Sequence, residues 1–169
     1  NSDMYTDNII GFANGVRTPN GGSHVDGLKA TITRTLNGLG KASGKLKEGK
    51  DKGANLSGDY LREGLTAVVS VRLQEAEFEG QTKNRLGNPE VRAIVSEVLG
   101  EALTTFLHQR PKALQAILDK ALAATKAAEA ARAARDLVRR KTVLGSSVLP
   151  GKLADCASGD PGETEVFIV

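Results

Sequence analysis

The sequence predicts an α+β fold: a small sheet, one crossover helix and a long C-terminal helix. Three observations carry that prediction. Leu65, Ala67, Val69, Val71 and Leu73 alternate with Thr66, Val68, Ser70 and Arg72, the period-two pattern of a strand buried on at least one side. Val25, Leu28, Ile32, Leu36 and Leu39 recur at intervals of three and four, one apolar stripe of an amphipathic helix. From Pro111 to about Lys141 a helical pattern continues over about 30 residues, or about 45 Å at about 1.5 Å per residue.

Taken in order, Thr6 to Ala13 reads as a strand bounded by Asn14-Gly15, and Thr18-Pro19-Asn20-Gly21-Gly22 as a turn. Ser23 is a suitable N-cap for the first helix, whose opposite face shows Lys29, Thr33 and Asn37. Gly40 to Asn55, with five lysines and four glycines, reads as a mobile surface loop. Ser57 to Glu63 suits one short helical turn before the strand. Asn88-Pro89-Glu90 opens the next helix, with Asn as N-cap, Pro in the first turn and Glu beside the positive dipole end. Val91, Ile94, Val95, Val98, Leu99, Leu103, Phe106 and Leu107 sustain it to about His108, and Arg110-Pro111 breaks it. The final helix begins with Leu114, Ile117, Leu118 and Leu122 and becomes Ala-rich, a composition that favours helix intrinsically. With so thin an apolar stripe, it must project beyond its own globule or pack against a neighbour. Gly145 to Gly162 is loop-like, and Glu165-Val166-Phe167-Ile168-Val169 reads as a further strand. A hydrophobic strand with no local partner marks the chain as a piece of something longer.

At 169 residues, one domain with a real core is expected. No run of about 18 apolar residues suggests a membrane span, and no charged-then-apolar secretory leader opens the chain. Aromatics make up 4% and Trp is absent, which argues against stacking surfaces for single-stranded nucleic acid. A lone Cys156 excludes an internal disulfide and a cysteine-based zinc site, and fits a reducing compartment. The net charge of +3 is mild, but Lys120 to Lys141 holds seven basic residues against two acidic ones, leaving the rest slightly acidic.

No self-contained enzyme is visible. Gly44-Lys45 and Gly151-Lys152 lack the first glycine and the hydroxyl residue of a phosphate-binding P-loop. His24, His108 and Cys156 carry no local nucleophile signature, and the acidic residues lack a metal-binding spacing. Between the Leu65–Leu73 strand and the helix at Pro89 lies a polar loop tipped by Gly80, Gln81 and Lys83. Held between two rigid elements, such a loop places a charge accurately, although a solvated connector has the same composition. On the long helix Arg132, Arg135 and Arg139 share a face. They suit either a solvated cationic helix end or contact with nucleic-acid phosphates, and Lys29 on the first helix offers the same choice.

Arg62-Glu63-Gly64-Leu65-Thr66-Ala67-Val68-Val69-Ser70-Val71 followed by Glu79-Gly80-Gln81-Thr82-Lys83 resembles the transducer domain of the ATP-hydrolysing chains of bacterial-type type IIA topoisomerases, DNA gyrase and topoisomerase IV. Asn20-Gly21-Gly22-Ser23-His24, Thr33-Arg34-Thr35-Leu36-Asn37 and Leu149-Pro150-Gly151-Lys152-Leu153-Ala154-Asp155-Cys156 agree with it. The resemblance implies a ribosomal protein S5 domain 2-like sheet with a left-handed crossover and with its first strands missing. It divides the chain into a transducer, 1–144, and a lead-in to a TOPRIM domain, 145–169. Gln81 and Lys83 would reach the γ-phosphate of ATP in a preceding GHKL-type ATPase domain, with Mg2+ and most of the nucleotide held outside this chain. Lys29, Arg132, Arg135 and Arg139 would face double-stranded DNA in the cavity between two subunits. Further expectations are a gyrase A partner in a heterotetramer, coupling of ATP hydrolysis to strand passage and supercoiling, and a location in the bacterial nucleoid or in an organelle of bacterial ancestry. Topoisomerase IV, or an S5-like nucleic-acid-binding module without ATP coupling, is the alternative.

Overall fold

The computed structural model describes residues 4–46 and 55–145, with Asp160 and Gly162. The elements are β1 (Asn8–Ala13), β2 (Val16–Arg17), α1 (Ser23–Ala42), α2 (Gly58–Leu61), β3 (Thr66–Val71), α3 (Pro89–Gln109) and α4 (Pro111–Gly145). The chain falls into two compact units, Asn1–Lys126 and Ala127–Val169.

The sheet of the first unit has the order β2-β1-β3. β1 and β3 run parallel, with Ile9 beside Ala67 and Gly11 beside Val69, and α1 forms the crossover between them. One face of the sheet, including Val69 and Ala13, is buried, whereas Val68 on the other face is 64% exposed. The expected helical stripe lies in the core: Val25, Leu28, Ile32, Leu36 and Leu39 pack with Leu61, Val69, Leu107, Leu114 and Leu118.

Several local expectations change. β1 starts at Asn8 instead of Thr6, and Asn14-Gly15, read above as the boundary of the strand, is the loop of a hairpin that joins β1 to β2. Asn14 and Gly15 have φ of 51° and 80°, the left-handed pair of a two-residue hairpin loop, and Ala13 pairs with Val16. The N-cap of α1 is Gly22, with Ser23 already helical; the Ser23 hydroxyl is buried without a hydrogen-bond partner. Asn37, expected on the outer face, is buried because the chain at Leu56 crosses over it. Its amide donates to the Leu56 carbonyl at 3.0 Å and accepts from the Leu56 N–H at 2.8 Å. α1 runs on to Ala42, and Leu46, expected within the loop, is buried; residues 47–54 of that loop lie outside the described residues. Asn88 stands at the N-cap of α3 without capping it. Its side chain instead accepts from Glu77 N–H and donates to the Glu75 carbonyl and the Glu90 carboxylate. The break at Arg110-Pro111 is present, and α4 extends to Gly145. The expected TOPRIM lead-in falls on 145–169, which, apart from Gly145, Asp160 and Gly162, lies outside the described residues.

Candidate functional site

The basic loop is a small hairpin seated on the start of α1. Phe78 and Leu86 form an antiparallel bridge, Glu79 N–H donates to the Arg85 carbonyl at 2.9 Å, and Gly87 N–H donates to the Glu77 carbonyl at 2.8 Å. Leu86, 1% exposed, sits with Ala13 and Val91 in a second small core, against which Leu73, Ala76 and Phe78 pack. Leu86 also bridges to Gly22 on its other side: Leu86 N–H donates to the Gly21 carbonyl and Ser23 N–H to the Leu86 carbonyl. The approach is close. A Cβ on Gly22 would stand 2.4 Å from the Leu86 carbonyl oxygen, and Gly22 has φ of 131°, so glycine is required twice over.

At the tip, Gly80 (φ 80°) and Lys83 (φ 54°) close a turn in which Lys83 N–H donates to the Gly80 carbonyl at 3.3 Å. For lysine this left-handed region is disfavoured by about 1–2 kcal/mol, and such a conformation persists where its surroundings impose it. Gln81, Thr82 and Lys83 are exposed. The Lys83 ammonium lies 5.8 Å from the centre of the Phe78 ring. Among the described residues, the side chains of Gln81 and Lys83 make no hydrogen bond or ion pair within the chain. The structure therefore brings both expected residues into one turn and leaves an ammonium and an amide free to donate to an oxyanion. Neither the groove beside Lys29 nor the apolar cavity beside Leu103 and Leu107 includes this turn.

Lys29 stands apart from the loop, in a groove of about 670 Å³ that also includes Arg34, Lys41 and Arg62. It is 38% exposed and pairs with Asp7 at 3.5 Å. Arg62 is occupied by Asp7, Thr33 and Asp59. In the second unit, Arg132 and Arg135 are exposed, and Arg135 donates back to the Ala131 carbonyl at 3.2 Å. The Arg139 side chain lies outside the described residues. Among the described residues, no group of three His, Cys, Asp or Glu side chains is placed to hold a metal ion, and no helix is long and apolar enough to cross a membrane.

Sequence reasoning missed two features. His24 is fully buried; its Nε2 lies 3.1 Å from the Thr18 hydroxyl, its Nδ1 has no partner, and burial lowers its pKa against the raising influence of Asp26. Arg85 binds acceptors on three separate segments, two of them about 60 positions upstream, and no local pattern announces that. Asn14-Gly15, by contrast, is a strong hairpin signal that was available in the sequence.

Sheet, helices and loop together define a small α+β domain that presents the exposed Gln81–Lys83 turn beside the start of α1. A sequence model of DNA gyrase B matches residues 1–137, and the chain belongs to the DNA gyrase B family. It is 59% identical to the DNA gyrase B protein of Synechocystis sp., over 99% of this chain and 15% of that protein. With the chloroplastic/mitochondrial DNA gyrase B protein of Oryza sativa subsp. japonica it shares 56% identity, over 99% of this chain and 23% of the relative. Among solved structures, the 43K ATPase domain of Thermus thermophilus gyrase B in complex with an aminocoumarin superposes with a TM-score of 0.72 at 40% identity, covering 79% of this chain and 35% of that one. The chain thus spans less than a quarter of either full relative.

Proposed function

We propose that residues 1–144 are the transducer of a gyrase B protein and that 145–169 lead into a TOPRIM domain. In the whole protein the segment couples ATP binding and hydrolysis to DNA strand passage and supercoiling. The observation that carries this reading is the Gln81–Lys83 turn, whose tip is exposed and whose base is seated on the start of α1. Gln81 and Lys83 meet the terminal phosphate of ATP, whose remaining contacts come from a preceding GHKL-type ATPase domain. Phosphoryl transfer is accelerated mainly by positioning and charge stabilisation, and an ammonium held in place before the phosphate arrives supplies both. Lys83 gains this partner only while the γ-phosphate is attached, so ATP favours one arrangement of the domains and hydrolysis releases it. Mg2+ is assigned, together with most of the nucleotide, to that preceding domain.

Lys29, Arg132, Arg135 and Arg139 are assigned to the phosphates of double-stranded DNA. The exposure of Arg132 and Arg135 supports that assignment, and such contact is blind to sequence and sensitive to salt. A gyrase A partner, and a location in the nucleoid or in an organelle of bacterial ancestry, complete the reading.

Steady-state ATP hydrolysis by the full-length protein tests it. Lys83→Ala should lower kcat about a hundredfold, or about 2.7 kcal/mol, with the fold intact. An unchanged rate overturns the role of Lys83 and with it the ATP coupling.

A further inference from the structure

We propose that Arg85 is the positioning residue for Lys83, an inference that rests on the γ-phosphate role given to Lys83 above. The backbone of the hairpin pairs regularly only as far as Glu79 and Arg85. Beyond that pair, 80–84 have two backbone tethers: Lys83 N–H to the Gly80 carbonyl within the turn, and Asn20 N–H to the Asn84 carbonyl at 3.0 Å. The first is internal to the turn, and the second holds its outgoing arm to the turn before α1 at a single point.

The Arg85 side chain adds three further ties. Its Nε donates to the Glu79 carboxylate at 3.1 Å, across the hairpin. One terminal nitrogen donates to the Asn20 carbonyl at 3.2 Å, in the turn before α1, and the other to the Asp26 carboxylate at 3.2 Å, in the first turn of α1. One planar group therefore ties the outgoing arm of the loop, the approach to α1 and α1 itself. Arginine suits this junction because its donors point along fixed in-plane directions, whereas a lysine ammonium is a point charge on a flexible stem.

Arg85 and its carboxylates are partly exposed, 40% for Arg85 against 46% for Asp26 and 62% for Glu79. Pairs of this kind add little to overall stability, so the contribution lies in aim. A misplacement of about 1 Å at a reacting group is enough to slow catalysis by orders of magnitude.

The experiment is ATP hydrolysis by the full-length protein carrying Lys83→Ala, Arg85→Ala and both. Arg85→Ala should lower kcat about tenfold while the KM for ATP moves by less than about twofold. In the Lys83→Ala background, Arg85→Ala should have no further effect. If both single variants slow the enzyme and their effects multiply, Arg85 acts independently of Lys83 and the inference falls; reduced folding would also multiply. If Lys83→Ala is slow and Arg85→Ala matches the parent, positioning is overturned while the γ-phosphate reading stands. If Lys83→Ala itself matches the parent, that reading fails first and this one with it. Should Arg85→Ala not fold, Asp26→Asn, which leaves the guanidinium with Glu79 and Asn20, is judged by the same non-additivity.

Discussion

In α1, ten of the 20 residues are buried, and the sheet, α2 and α3 all pack on it. In α4, every residue from Glu129 to Val138 is exposed, and the stretch is rich in alanine. The first helix forms because its apolar stripe finds a core, whatever its intrinsic preference: Gly27, Gly38 and Gly40 all lie within it. The exposed part of the second has no such reward within the described residues and depends on the high helix propensity of alanine. Tertiary packing and local propensity thus act in different places along one chain.

The sharpest way to break the comparison is to remove packing from α1. Leu36→Ala, at a site 3% exposed, should lower the unfolding free energy by about 2–5 kcal/mol. A urea midpoint close to that of the parent would show that the stripe is not what holds α1. Next in size, Ala130→Gly should weaken the exposed part of α4 by about 1 kcal/mol. Amide exchange there should quicken while α1 keeps its protection; equal loosening of both helices would erase the distinction.

The smallest expected effect concerns the first turn of α1. Burial lowers the pKa of His24 from its ordinary value of 6.5, so the unfolded chain binds its proton more readily than the folded one. Stability from this site is complete above pH 6.5 and declines as the pH falls below that value toward the lowered folded pKa. Thermal midpoints measured between about pH 5 and 7 should show that decline, and His24→Gln should remove it. An identical slope in the variant would assign the effect to the carboxylates.

What was legible in the sequence follows the same division. The α1 stripe, the β3 alternation and the break at Pro111 are written in neighbouring residues, and the structure has all three. The contacts that aim and seat the loop are not local. Arg85 meets Asp26, and Asn14 closes two hydrogen bonds onto the Leu73 backbone, each across 59 positions. Asn37 looked like a surface residue because nothing in its helix revealed that Leu56 would cover it. Gln81 and Lys83 stood out through a resemblance, since their chemistry as a polar loop tip is ordinary. The seating around them had no such guide.

The direct backbone contact between Gly22 and Leu86 has a practical consequence for protein engineering. A designer who moves this loop into another scaffold cannot treat 78–86 as a cassette, because half of its seat belongs to 18–26. The transplantable unit is a pair of segments, separated in the chain and joined main chain to main chain. A scaffold that reproduces the hairpin without the second segment would display the right residues, pointing nowhere in particular.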